Sequence, residues 1–104
     1  MNHKLTVLIA SAALALPVLS LRAEDAKVIW EKKCALCHGV DGAGKVNMKT
    51  KNYTDAKVQA DVKDDAILKT IKEGVAGSKM KGFAGKLTDD EIKALAAQIR
   101  SFKK

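Results

Sequence analysis

Cys34-Ala35-Leu36-Cys37-His38 is the stretch whose reading decides the fold. Cysteines at i and i+3 project from one side of a helical turn, and a histidine follows the second directly. Two thiols and one imidazole therefore stand within about one turn of chain. The 104 residues hold no further cysteine, and the second histidine is His3, near the start. Two cysteines do not build a disulfide scaffold. The length allows one domain and excludes a large enzyme with a deep cleft.

Four readings of a Cys-x-x-Cys pair compete, and the surroundings separate them. A structural zinc site takes four ligands. Cys34, Cys37 and His38 supply three, and no second cysteine pair completes the set. A thioredoxin-like dithiol sits at a helix N-terminus after a strand. Here Trp30-Glu31-Lys32-Lys33 precedes Cys34 and continues a helical pattern. A plain disulfide suits two cysteines in an exported chain but leaves the adjoining histidine unexplained. Covalent haem attachment accounts for all three residues. Each sulfur adds to one vinyl group, giving two thioethers, and His38 faces the iron as the proximal ligand. The expected cofactor is one covalently attached haem c per chain.

The sixth iron ligand must reach the other haem face. Met48, Met80, a lysine or water are the candidates. Met80 lies far enough past His38 for the chain to pass round a porphyrin, whereas Met48 follows too closely. Met80 sits in Gly77-Ser78-Lys79-Met80-Lys81-Gly82-Phe83, a loop with little core of its own. Filling an apolar gap is a weak account of a methionine there. The His/Met pairing known for cytochromes c makes Met80 the expected distal ligand.

Outward from the cluster the pattern is helical, with no sustained alternation to argue a sheet. Leu87-Thr88-Asp89-Asp90-Glu91-Ile92 reads as a helix start. Thr88 and Glu91 have capping-box spacing, and Leu87 and Ile92 occupy the positions of a hydrophobic staple. Ile92, Leu95, Ala96 and Ile99 follow as one apolar stripe. A second helix is expected from Asp64 to Glu73, capped by Asp64 or Asp65 and stopped by Gly74. A third starts near Asp25 or Ala26 and runs through Trp30 into Cys34. Gly39 to Asp61 reads as a long polar loop, a kind usually functional in compact domains.

The first residues read as an address. Lys4, the apolar run Leu5 to Leu16, Pro17, and Ala23 before Glu24 have the layout of a secretory signal peptide. Residues 1–23 are expected to be cleaved after Ala23, with cleavage after Ser20 as an alternative. A retained anchor is the competing reading, although Pro17 breaks the run and spanning helices need about 20 apolar residues. Either way residues 24–104 form the exported domain, which in a bacterium means the periplasm. A domain of this size usually needs a staple, and haem is that staple. Leu36, Ile67, Leu68, Ile71, Met80, Phe83, Leu87, Leu95 and Ile99 are its expected packing set.

Three stretches together resemble the small class I cytochromes c of the bacterial and algal periplasmic type. They are Trp30 through Gly44 with its CALCHG and DGAG, the MKGF loop at Met80, and LTDDEIKALAAQI near the end. The resemblance covers essentially residues 24–104. It implies an all-α class I cytochrome c fold, three to four short helices wrapped around one covalently bound haem. The first and last helices should cross, with Trp30 or Ile29 against Leu95 and Ile99. The implied function is carrying single electrons between periplasmic redox partners, with His38 and Met80 as axial ligands and no enzymatic activity. Two departures stand out. Lys81 follows Met80 where the family usually has proline. No proline follows the haem motif either, so the usual backbone acceptor for the proximal histidine is not identified.

The charge bears on partners. Lysine and arginine number 19 against 12 aspartate and glutamate, for a net +7. Lys45, Lys49, Lys51, Lys79, Lys81 and Lys86 fall in loops expected to rim the haem edge. Such a ring steers docking to an acidic patch on a redox partner. No aromatic–basic interleaving suggests nucleic acid. Membrane contact is expected only through membrane-bound partners or an uncleaved signal, and the domain is expected to be a monomer. Trp30, Tyr53 and Asn52 are candidate hydrogen-bond donors to the haem propionates. A haem sensor or peroxidase-like protein with a labile sixth ligand is the alternative that Lys81 keeps open.

Overall fold

Thr88 starts the longest described helix as the sequence predicts. Its hydroxyl accepts from the Glu91 amide at 3.1 Å, and Glu91 Oε1 accepts from the Thr88 amide at 2.8 Å. Leu87 and Ile92 are both buried. Asp89 and Asp90 lie in the first turn, where the helix dipole favours negative charge. Removing the cap by Thr88→Ala should cost about 1 kcal/mol. A thermal melt should then shift down by ~4–8 °C.

The computed structural model describes residues 23–104, so the signal-peptide reading lies, apart from Ala23, outside the described residues. Five α-helices follow in order: α1 (Ala23–Lys33), α2 (Ala35–His38), α3 (Ala56–Asp61), α4 (Asp64–Glu73) and α5 (Asp89–Ser101). A 3-10 turn, Val46–Met48, lies between α2 and α3. No strand occurs among the described residues, only isolated bridges at Gly74–Lys81 and Ala84–Leu87. The all-α expectation holds.

Two local expectations need correction. The N-cap of α4 is Lys63, which makes no side-chain cap bond; Asp64 and Asp65 are the first two residues inside the helix. The Asp64 carboxylate is engaged elsewhere, accepting from Arg100 Nη2 at 2.7 Å and Nε at 3.0 Å. The stretch expected as loop from Gly39 to Asp61 contains α3, whose N-cap Asp55 accepts from the Lys57 and Val58 amides. A six-residue helix whose buried member is Gln59 shows no apolar stripe in sequence.

α1 and α5 pack together, and α4 lies against α5. Their shared core holds Trp30, Ala35, Ile67, Ile71, Leu87, Ile92, Leu95 and Ile99. Ile29, Leu68, Phe83 and Phe102 pack on its margin. α1 and α5 thus pack as expected, with Trp30, Leu95 and Ile99 in one buried cluster. Of the residues expected to pack on haem, Leu36 lies outside the protein core and is 80% exposed. On α2 it follows Ala35, the residue turned to the core, and successive helical residues point in different directions. Met80 is half-buried and outside the buried cluster.

The Met80 segment is fastened to the end of α4. Gly74, with φ 76°, ends the helix. The Val75 amide donates to the Met80 carbonyl at 3.0 Å, and the Phe83 amide donates to the Ile71 carbonyl at 2.9 Å. Gly82 allows this approach, since a Cβ there would lie 2.3 Å from the Lys72 carbonyl oxygen.

Candidate haem site

The end of α1 leads straight into the motif. The Cys34 amide donates to the Trp30 carbonyl at 2.9 Å, completing the last turn of α1. Cys34 then leaves helical geometry at φ −120° and becomes the N-cap of α2. Its carbonyl accepts from the amides of Cys37 at 3.2 Å and His38 at 2.9 Å. The two cysteines and the histidine thus share one turn. Both thiols are half-buried and unpaired. Burial pushes the Cys34 thiol up to about 11, with Lys33 pulling weakly the other way.

His38 is enclosed by aromatics. Its ring centroid lies 5.6 Å from Trp30 and 6.0 Å from Tyr53, with a 28° angle to the latter. Burial lowers its pKa, favouring the neutral imidazole, which is the form that binds metal. Its buried Nδ1 makes no hydrogen bond within the protein. A buried polar atom in that state asks for an explanation.

The following loop wraps back onto the motif. Thr50 Oγ1 donates to the Cys37 carbonyl at 2.7 Å and accepts from the Lys45 amide at 2.7 Å. The Gly44 amide donates to the His38 carbonyl at 2.8 Å, and the Tyr53 amide to the Gly42 carbonyl at 2.7 Å. Gly42, at φ 74°, lies under Phe102, whose ring a Cβ would meet at 2.3 Å.

These residues fit haem c in kind. Two thiols on one turn suit two thioether links, and a neutral imidazole beside them suits iron. A protein-only metal cage has no such support: among the described residues no three His, Cys, Asp or Glu side chains converge. The structure brings Cys34, Cys37 and His38 together, while Met80 stands on the separate loop after α4.

The family comparison agrees with this donor set. The family described as cytochrome c oxidase, cbb3-type, subunit III matches residues 21–99. The chain belongs to this cytochrome c family. The domain is similar to the cbb3-type oxidase subunit FixP of Bradyrhizobium diazoefficiens, 34% identical over 73 residues, covering 70% of this chain and 25% of FixP. It is equally similar to FixPc of Rhizobium leguminosarum bv. viciae, 34% identical over 82 residues, covering 76% of this chain and 27% of FixPc. It thus spans about a quarter of the length of these curated relatives. Among solved structures it resembles the KustC0563 c-type cytochrome, with a TM-score of 0.70 at 35% identity, covering 76% of this chain and 98% of that one. Cytochrome CL from Methylophaga aminisulfidivorans gives 0.60 at 27% identity, over 76% and 51% of the two chains. Cytochrome c domains of this kind are typically electron carriers rather than enzymes, and the Cys34/Cys37 pair is consistent with covalent haem c.

The cytochrome domain corrects one propionate expectation. Trp30 is 2% exposed, and its Nε1 donates to the Gly39 carbonyl at 2.8 Å. That indole N–H is engaged in holding the loop after the motif. Asn52 Oδ1 closes a turn by accepting from the Thr54 amide and hydroxyl, at 2.9 and 2.6 Å. Tyr53 covers His38 with its ring. Lys45, Lys49, Lys51, Lys79, Lys81 and Lys86 are all exposed. Among the described residues no helix is long and apolar enough to cross a membrane.

Proposed function

We propose that this domain carries single electrons between exported redox proteins, using one haem c linked to Cys34 and Cys37. His38 is the proximal iron ligand and Met80 the distal one. The observation that carries this reading is the single turn from Cys34 to His38, with two unpaired thiols and a half-buried imidazole whose buried Nδ1 lacks a partner. Haem, when bound, supplies a one-electron iron couple, whose potential the His/Met ligand pair raises.

The chain's own residues do the rest. α2 sets both sulfurs on one side of a turn. Trp30 and Tyr53 flank His38, hold its ring and keep water from it. Thr50 fastens the loop to the Cys37 carbonyl. Held by His38 and Met80, iron would gain and lose an electron with little rearrangement. A reversible redox titration with a one-electron slope and a low-spin absorption spectrum in both states is the expected result. A high-spin ferric spectrum would contradict the ligand set.

The exposed lysines give a second test. A Debye length of about 30 Å at 0.01 M shrinks to ~8 Å at 0.15 M. Association with an acidic redox partner should slow by about tenfold across that range. Stopped-flow rates measured against ionic strength check this, and a flat profile would remove the lysines from docking. Export rests on the pattern of residues 1–23. N-terminal sequencing of protein from the periplasmic fraction tests it.

A further inference from the structure

Gln59 is a buried polar side chain on α3, 7% exposed, and its amide is fully engaged. Nε2 donates to the carbonyls of Tyr53 and Ile99, each at 2.7 Å. Oε1 accepts from Arg100 Nη1 at 2.9 Å. The orientation is forced, because a guanidinium only donates. Arg100 in turn donates to the Gln59 carbonyl at 2.7 Å, the Val62 carbonyl at 2.6 Å, and Asp64 Oδ1 through both Nη2 and Nε. Every N–H of the guanidinium therefore has a partner.

This strut ends at Tyr53. The Tyr53 amide is held by the Gly42 carbonyl at 2.7 Å and its carbonyl by Gln59. Between those two ties the ring lies over His38 at 6.0 Å. Trp30 stands 5.6 Å from the same imidazole and is itself fixed through Gly39. Tyr53 and Trp30 thus flank the imidazole, and the Tyr53 carbonyl is tied to the strut.

We propose that Gln59, clasped by Arg100, is a positioning residue for the iron ligand: it fixes the Tyr53 segment and thereby the plane of the His38 imidazole. This rests on the reading of His38 as the axial ligand.

The test uses ferric haem-loaded protein. Gln59→Glu keeps an acceptor for Arg100 but loses the donations to Tyr53 and Ile99, whereas Gln59→Leu loses all three bonds. Ile92→Val is the comparison, a core change that lowers stability without touching the strut. Ligand-plane orientation is read from electron paramagnetic resonance g-values and the hyperfine-shifted His38 ring signals. Both Gln59 variants should move them, and the Tyr53 amide should exchange about tenfold faster. Ile92→Val should lower the melting temperature and leave the His38 signals in place. Unmoved g-values and ring signals in folded Gln59→Glu would overturn the proposal, whatever happens to stability. Should Gln59→Leu fail to fold, Gln59→Glu alone decides. A wild type without haem defeats the axial-ligand reading and this inference with it. A haem-loaded wild type with unmoved variants defeats the inference alone.

Discussion

Replacing Cys34 and Cys37 together with serine should leave a chain that has lost most of its helical circular-dichroism signal and its cooperative melt. The core is small: beyond Trp30, its large buried members are Ile67, Ile71, Leu87, Ile92, Leu95 and Ile99. Leu36, Val40 and Val46, close to the motif in sequence, stay outside it. Net stabilities of whole domains are about 5–15 kcal/mol. Burying ~400 Å² of apolar porphyrin contributes about 10 kcal/mol at ~25 cal/mol per Å². Losing a term of that size removes stabilisation comparable to the whole net stability of a domain. Circular dichroism and a thermal melt of the double variant check this. Native helical content with a sharp transition would show that the polypeptide folds without its cofactor.

Met80→Ala should produce the second large effect, a gain in binding of external ligands. With Met80 as the proposed distal ligand, carbon monoxide at ferrous iron or cyanide at ferric iron would have to displace its thioether in the wild type. If the displaced form is about 1% populated, the apparent affinity is reduced about 100-fold. The variant recovers that factor, and a spectroscopic titration reads it. The structure gives the comparison an edge, since Met80 lies outside the buried cluster and Lys81 follows it. The Val75–Met80 and Phe83–Ile71 hydrogen bonds hold the loop's backbone, while in the proposed ligand set the side chain would be held by iron. Wild-type protein that already binds carbon monoxide as tightly as the variant would instead favour the sensor or peroxidase-like reading.

Much of this arrangement was legible in the chain because it is local. Thr88 and Glu91 form both bonds of their capping box within three residues of each other, and the α4 bounds follow from Ile67, Ile71 and Gly74. The turn that gathers Cys34, Cys37 and His38 needs no distant contact. What sequence hid is made of long-range polar bonds. Arg100 reads as a charge that suits a helix end, yet it reaches back to Gln59, Val62 and Asp64. Gln59 gives no sign of burial in a polar stretch, because its environment is the Ile99 carbonyl forty positions later. The engagement of the Trp30 indole by Gly39, nine residues on, was hidden because it depends on how the chain turns back after the motif. α3 escaped because Val58 is its only large apolar residue.

The most direct test is the intact mass and colour of protein matured in a host that attaches haem c. Red protein, heavier than the polypeptide by one haem that survives acid denaturation, is the predicted result. Colourless protein at the polypeptide's own mass would contradict the account at its root.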